Sequence, residues 1–309
     1  MKKLISIIIP CYDEEESLAL FYKELNKVSI DINDMDFEIL FIDDGSKDNT
    51  LNIVKELKKL DERIHFISFS RNFGKESAMF AGLELSKGDY VAIMDADLQD
   101  PPYLLKDMLN KLLNNDIDCV ASRRIDRKGE PKIRSFYSKL FYKLINCISS
   151  TEIVDGARDF RLMKRQMVDA IVHLKETSRF SKGIFSWVGF RTEWIEFENI
   201  NRIKGNTKWS FSKLLLYSID GIISFSSIPL TIVFVVGIIS CISAFLAIIY
   251  FVLQKLIFGI DVEGWTLMMC VIIMIGGVQI FATGILGQYL AKIFLESKHR
   301  PIYIVKEKD

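Results

Sequence analysis

Two aspartates one residue apart, Asp95 and Asp97, with Gln99 two positions further on, make the most chemically pointed cluster in the chain. Their oxygens are hard donors suited to Mg²⁺ or Mn²⁺, and an ion held this way can bridge a diphosphate. Aspartate pairs also cap helices and fill loops, so the spacing alone is weak evidence. Here Pro101 and Pro102 follow at once and supply a helix start, which leaves Asp95 and Asp97 free for metal. Three more polar runs accompany them: Cys11 to Glu14, Asp43-Asp44-Gly45-Ser46, and Arg71-Asn72-Phe73-Gly74. The second of these also suits a plain turn before a helix. Further on, Arg158-Asp159-Phe160-Arg161 sets a carboxylate between two cations, a pattern that an ion pair on a strand produces equally well.

The elements that must position these groups alternate. Leu4 to Ile9, Phe37 to Ile42, Ile64 to Phe69 and Tyr90 to Met94 read as strands. Glu15 to Val28, Thr50 to Leu60, Lys75 to Ser86 and Pro102 to Leu113 read as helices between and after them. Such alternation predicts a mostly parallel, Rossmann-like α/β sheet wrapped by helices. Ligands of these sheets sit beyond the carboxyl ends of the strands, which is where all four polar runs fall. Neither G-x-G-x-x-G after the first strand nor G-x-x-x-x-G-K-[ST] anywhere is present, so phosphate charge must be met without a glycine-rich cradle.

Composition narrows the partners. The 309 residues carry 40 basic and 40 acidic side chains, which lacks the basic footprint of a nucleic acid binder. The five cysteines include no C-x-x-C pair and the three histidines are scattered, so we expect reduced packing thiols and no histidine-rich metal site. A mean hydropathy of +0.20 at 26% charged residues means that the apolar residues are segregated.

They lie in two charge-free runs, Gly221 to Gln254 and Gly264 to Ala291, of 34 and 28 residues. Both exceed the roughly 20 residues that a bilayer-spanning helix needs, which argues against core helices of a soluble protein. The expected spans are Pro229 to Leu253 and Trp265 to Leu290, two transmembrane helices of a cell-membrane protein. Basic residues gather before the first run (Arg202, Lys204, Lys208, Lys213) and after the second (Lys292, Lys298, Arg300, Lys306, Lys308). That asymmetry predicts cytoplasmic termini and a cytoplasmic N-terminal domain. Leu4 to Pro10 is too short for a signal-peptide core. No ionisable group interrupts either run, so an anchor is expected rather than a transporter. Small residues recur along both (Gly237, Ser240, Ala244; Gly277, Gly284, Gly287) and would let helices approach closely.

Two amphipathic stretches complete the pattern. Lys132 to Ser150 puts Ile133, Phe136, Tyr137, Leu140 and Phe141 on one stripe bordered by Lys and Arg, and Phe211 to Phe225 leads into the first span. Either could pack on a core or lie as an interfacial helix on a membrane. The expected organisation is a cytosolic α/β domain over 1–209, an interfacial segment over 210–227, a two-helix anchor over 228–291 and a cytosolic tail over 292–309.

Taken in order, Ile8-Ile9-Pro10-Cys11-Tyr12-Asp13-Glu14, Ile42-Asp43-Asp44-Gly45-Ser46, Asp95-Ala96-Asp97-Leu98-Gln99-Asp100-Pro101-Pro102 and Arg158-Asp159-Phe160-Arg161-Leu162 resemble the inverting family-two glycosyltransferases of GT-A fold. The resemblance covers nearly the whole chain. It is most specific to the polyprenyl-phosphate glycosyltransferases, among them the bactoprenol glucosyltransferases with two C-terminal spans and the dolichyl-phosphate mannose synthases. Cys11 stands where many relatives have Thr and Asp13 where many have Asn, so neither is given a catalytic duty. The Q-x-x-R-W motif of the processive synthases is missing, which favours a single transfer.

The resemblance implies roles position by position. Pro10, Tyr12, Glu14 and Asp44, with Asp95, would hold the nucleotide sugar. Asp95, Asp97 and Gln99 would hold Mg²⁺ or Mn²⁺ on its diphosphate. Asp159 would be the catalytic base, with Asp155 second. Because the second pKa of a phosphate monoester is near 6, Asp159 would have little proton to remove and would then orient the acceptor. Arg123, Arg134 and Ser138 match contacts to a lipid phosphate, and Arg202 and Lys208 match a loop that closes over the diphosphate. The implied reaction moves one sugar, UDP-glucose being the favoured donor, to polyprenyl (undecaprenyl) phosphate with inversion, for cell-envelope glycosylation. N-acetylglucosamine, mannose or an aminopentose remain alternative sugars, and a non-catalytic membrane-tethered nucleotide-sugar binder is the alternative class. A homo-oligomer, with a tetramer among the options, follows from the small-residue faces and the bactoprenol relatives.

Overall fold

The computed structural model describes the chain except Met1, 126–145, 147–153, Asp155, 199–220, Phe225 and 259–263. Both expected amphipathic stretches lie almost wholly outside the described residues.

Four strands form the centre of the sheet: β1 (Lys3–Cys11), β2 (Met35–Asp43), β3 (Ile64–Phe69) and β4 (Tyr90–Ile93). They run parallel in the spatial order β4-β1-β2-β3. Every residue from Ile5 to Cys11 and from Phe37 to Asp43 is buried. Near-continuous apolar runs of this kind are what a parallel sheet covered on both faces requires. Ser6 and Glu38 interrupt them and satisfy each other: the Ser6 hydroxyl donates to Glu38 Oε2 at 2.5 Å while the Gly88 and Lys87 N–H groups close the knot at 2.8 and 3.1 Å.

The other strands extend this core. Beyond β4 lie β6 (Ala157–Lys164), β5 (Cys119–Arg124) and β7 (Thr192–Phe197), and beyond β3 lies β8 (Val305–Lys308). β6 is antiparallel to both β4 and β5, and β8 is antiparallel to β3. The sequence pattern gave no sign of β5, β7 or β8, which are short or carry charges.

Helices α1 (Leu18–Asp31), α2 (Thr50–Leu60), α3 (Lys75–Leu85) and α4 (Leu104–Asn114) occupy the expected places. α1 starts three residues after the expected Glu15. The N–H groups of Glu14 and Glu15 are held instead by Thr50 Oγ1 and Asp48 Oδ2 of the neighbouring loop, at 2.8 and 3.2 Å. α4 follows Pro101 and Pro102, whose carbonyls accept the N–H groups of Leu104 and Leu105. Two more helices, α5 (Arg165–His173) and α6 (Ser181–Trp187), follow β6.

The chain divides into two units, Met1–Gly221 with Arg300–Asp309, and Ile222–His299. The second contains α7 (Ile228–Phe258) and α8 (Trp265–Ser297). Within them Ile228–Gln254 and Val271–Ser297 are long and apolar enough to cross a membrane, and their side chains are not buried. α8 runs past the expected end at Leu290. The last ten residues are not a separate tail; they belong to the first unit, where β8 pairs with β3.

α3 positions part of the site described below, and it reaches β1 through Gly82. A Cβ built there would lie 2.1 Å from Cγ2 and 3.1 Å from Cβ of Ile8, a β-branched side chain that is fully buried. Gly82→Ala is therefore expected to push α3 off the sheet and cost about 1–3 kcal/mol, read as a lower midpoint in thermal denaturation followed by circular dichroism. An unchanged midpoint would mean that α3 is not seated on β1 as described.

Candidate active site

The loops at the carboxyl ends of β1, β2 and β3 are laced together by side chains. Asp13, at a positive φ of 49°, donates its N–H to Ser46 Oγ at 3.0 Å and accepts the Lys47 N–H at 2.8 Å. Asp43 accepts the Ser46 N–H on one oxygen and the Ser68 hydroxyl on the other, at 3.0 and 2.6 Å. It is a turn-forming residue with both oxygens engaged. Glu14 accepts the Ser17 hydroxyl at 2.9 Å, at the entry to α1. Pro10 pairs with Ile42 one residue before the β1–β2 ladder ends at Cys11 and Asp43, and Tyr12, just past that end, is half-buried.

Asp44 spans to the next loop. Its two oxygens accept the N–H groups of Phe73 and Gly74 at 2.6 and 2.9 Å. Burial pushes its carboxyl up to about 6 in spite of those two bonds, with the Asp43 charge acting in the same direction. Gly45, at φ +68°, lets this turn pass under the next loop: a Cβ there would meet the Arg71 carbonyl carbon at 2.5 Å. The expected nucleotide-binding residues Pro10, Tyr12, Glu14 and Asp44 therefore come from two adjacent strand ends, with Asp44 also serving as a latch.

The second half of the site is made by β4 and β6. Their antiparallel register pairs Ile93 with Arg161 and Ala92 with Leu162. Carried on by two residues, it sets Asp95 opposite Asp159. A strand running against its neighbours presents its start, not its end, at this edge, so Arg158 and Asp159 join the loops that follow β1 to β4. Asp97 is buried and accepts the Gln99 N–H at 3.0 Å, and Leu98 between them sits at φ 58°. Asp100 is fully buried and accepts Arg158 Nε at 2.8 Å. Burial raises its carboxyl, and the Arg158 guanidinium acts against that rise. Arg158 also reaches the Gln99 side-chain oxygen at 3.4 Å.

Lys75, the first residue of α3, carries no signal in the sequence yet joins two carboxylates of the site. Its ammonium lies 2.7 Å from Asp95 and 2.5 Å from Asp159. Burial alone would raise the Asp159 carboxyl, but Lys75, with Lys182 and Arg161 further off, holds it well below the usual carboxylate range. Asp159 is thus ionised and a weak base. Two residues further along β6, Arg161 helps line a small, open pocket with Lys182, Phe185 and Trp194. The Arg161 guanidinium sits 3.5 Å over the Phe185 ring and donates to the carbonyls of Arg158 and Asp159. Lys182 and Trp194 also carry no sequence signal, because they come from α6 and β7, elements without a motif.

Arg123, on β5, pairs at 3.8 Å with Glu196 of β7. Asp155, Arg134, Ser138, Arg202 and Lys208 lie outside the described residues.

The donor set fits a divalent ion. Among the described residues no three His, Cys, Asp or Glu side chains form a ready metal cage. Two carboxylates, Asp95 and Asp97, are what Mg²⁺ uses when substrate phosphates and water complete its shell. Gln99 would join only by giving up its contact with Arg158.

Residues 6–172 match the family model described as "Glycosyl transferase family 2". The protein CsbB of Bacillus subtilis is 43% identical, over 98% of this chain and 92% of its own. The bactoprenol glucosyl transferase of Shigella phage SfV is 39% identical over 98% of each chain. Among solved structures, the mannosyltransferase PcManGT from Pyrobaculum calidifontis, in complex with GDP-Man and Mn²⁺, is 16% identical and superposes at a TM-score of 0.47, covering 72% of this chain and 63% of its own. With more than half of its length matched by the family model and relatives of this identity along nearly all of it, the chain belongs to glycosyltransferase family 2 and is a glycosyltransferase of GT-A fold.

Proposed function

We propose that this protein transfers one sugar from a nucleoside diphosphate sugar, UDP-glucose being the favoured donor, to polyprenyl phosphate, with inversion and with a divalent metal. The observation that carries the reading is the meeting of Asp95, from the Asp95-Ala96-Asp97 motif, with Asp159 across the Lys75 ammonium at the β4–β6 edge. The bactoprenol glucosyl transferases similar to this chain along its length support the lipid acceptor.

In this reading Pro10, Tyr12, Glu14 and Asp44 grip the nucleotide. Asp95 and Asp97, with Gln99 turned toward them, hold Mg²⁺ or Mn²⁺, which when bound neutralises the diphosphate and stabilises the leaving nucleotide. Asp159, already ionised, receives the acceptor on the opposite side of the sugar and fixes its direction. Arg123 contacts the lipid phosphate, a task shared with Arg134 and Ser138, while Arg202 and Lys208 close over the diphosphate; Asp155 is the second choice for the acceptor carboxylate. A phosphate acceptor needs little deprotonation near neutral pH, so orientation rather than proton removal is the duty of Asp159.

The membrane placement follows from α7 and α8. The residues before and after this pair belong to one folded unit, which supports an even number of crossings and a common side for Met1–Gly221 and Arg300–Asp309. Flanking Lys and Arg favour the cytoplasm for that side. The small residues along both helices favour a homo-oligomer, its size to be read from the mass of the detergent complex.

Membranes containing the protein are expected to move label from radiolabelled UDP-glucose into the organic phase when given undecaprenyl phosphate and Mg²⁺ or Mn²⁺. Asp97→Asn should lower the rate about a hundredfold or more, the loss expected when a metal's charge stabilisation is removed. No label from any of a panel of nucleotide sugars, despite nucleotide binding, would overturn the transferase reading in favour of a binder.

The pH profile separates the two duties open to Asp159. Its carboxyl is held low and stays ionised across the working range, so the acid limb should belong to other groups: the acceptor phosphate, with its second pKa of about 6, and Asp44, which burial pushes up to about 6. Asp159→Asn should therefore depress the rate by a similar factor at every pH, about ten- to a hundredfold, and leave the limb in place. Disappearance of the limb in that variant would make Asp159 the titrating base.

A further inference from the structure

Lys75 has no part in the transfer as described above, yet it touches both halves of the site. Its Nζ lies 2.7 Å from Asp95 Oδ1, 2.8 Å from Asp95 Oδ2 and 2.5 Å from Asp159 Oδ2. The turn that delivers it is fixed from the nucleotide side. Phe73 and Gly74 donate their N–H groups to Asp44, and Gly74 takes a φ of +99° to swing the chain into α3. The ammonium is therefore not a loose surface charge, although its side chain is 40% exposed.

An ammonium is a compact charge with three donors and no acceptor. Here it holds together two carboxylates that would otherwise repel. It also sits against both oxygens of Asp95, the carboxylate expected to hold the divalent ion. A positive charge held against both oxygens of Asp95 competes with a metal ion for the same carboxylate charge.

Resting on the metal-dependent reading above, we propose that Lys75 is a positioning residue that acts as a resident counter-cation: it holds Asp95 and Asp159 together in the empty site, yields Asp95 to the divalent ion, and then turns to the donor's diphosphate while keeping Asp159. Lys75 thereby opposes metal binding in the absence of donor and favours donor binding once metal is present. Those opposite signs separate this role from a structural one, in which loss of the side chain weakens both.

The test uses full-length protein in detergent, with Mn²⁺ alone titrated and free Mn²⁺ followed by electron paramagnetic resonance. Lys75→Met is expected to bind Mn²⁺ about tenfold more tightly than wild type, because a positive charge next to the ligand is gone. Lys75→Arg, which keeps the charge, should stay within about threefold of wild type. With Mn²⁺ saturating, uridine diphosphate should bind Lys75→Met about tenfold more weakly. Lys75→Met that is folded by circular dichroism but binds Mn²⁺ no more tightly than wild type would overturn the proposal.

Should that variant not fold, Asp159→Asn supplies the same information from the other side. It leaves the ammonium wholly on Asp95 and should weaken Mn²⁺ binding severalfold; unchanged affinity would count against the proposal. Wild-type protein that binds no Mn²⁺ would defeat the metal-dependent reading itself and the proposal with it. Wild-type binding without the expected change in the variants defeats the proposal alone.

Discussion

Asp95, Asp97, Asp100 and Asp159 gather at the junction of β4 and β6, and carboxylates at that density repel unless cations are held among them. Among the described residues, two make direct ion pairs with them. Lys75 neutralises Asp95 and Asp159 from the start of α3, and Arg158 neutralises Asp100 from β6 itself. The second pair is buried deeply, with Asp100 fully enclosed and its Oδ2 without a hydrogen-bond partner among the described residues. Breaking such a pair by removing one partner costs about 3–5 kcal/mol, because the other charge is left uncompensated in the interior. The loop that carries the expected metal ligands is thereby pinned at its far end, while its near end remains exposed enough to exchange one cation for another. Everything else in the catalytic unit either brings these groups to one edge or keeps them there.

Bringing them there depends on strand direction. The parallel strands β1 to β4 deliver four loops to one edge, and the antiparallel β6 delivers its own beginning to that edge. Loops alone would not hold their shape, since their backbone groups need partners that the sheet no longer supplies. Asp13 with Ser46, Asp43 with Ser68, and Asp44 with Phe73 and Gly74 are those partners, each joining one strand end to the next. Three acidic residues of the rim, Asp13, Asp43 and Asp44, thus serve the architecture. Asp44 shows the tension: burial favours its neutral form, yet both oxygens accept backbone N–H groups that favour the charged one.

What the sequence reveals and what it hides divide along the same line. The four core strands and α1 to α4 are legible because their apolar residues follow the period of buried elements, and Thr50 to Leu60 is found at its observed bounds. Asp95, Asp97 and Asp159 stand out in the sequence as candidates because carboxylates in short motifs are conspicuous and resemble those of the family. Their meeting does not, since it rests on β6 running backwards, which only the register shows. Lys75 is invisible for a different reason. A lysine in the first turn of a helix looks like a solvated side chain, and nothing in its neighbours says that the turn before it is latched to Asp44. Lys182 and Trp194 likewise reach the pocket from elements whose sequences carry no pattern.

The residues after the second apolar run show how composition misleads. Val305-Lys306-Glu307-Lys308 has the charge of a solvated tail, yet it pairs with β3 and covers an edge that would otherwise expose unpaired N–H and C=O groups. Charged strands suit such edges, since the outward side chains find water or partners: Glu307 meets Lys55 at 2.5 Å, and the Asp309 side chain meets Lys58 and His65 at 3.1 and 2.8 Å. Just before the strand, Tyr303 stacks on Phe69 at 5.0 Å, and Phe69 meets the edge of Phe73 at 5.8 Å. Phe73 is the residue whose N–H holds Asp44 and whose turn delivers Lys75. Three packed rings therefore run from the returning chain to the turn that joins the two halves of the site. Closing a long insertion costs entropy that grows only slowly with its length, so placing two apolar helices between β7 and β8 is compatible with that support. The segment that looks most dispensable by composition buttresses the turn that links the β1–β2 loops to the acidic cluster.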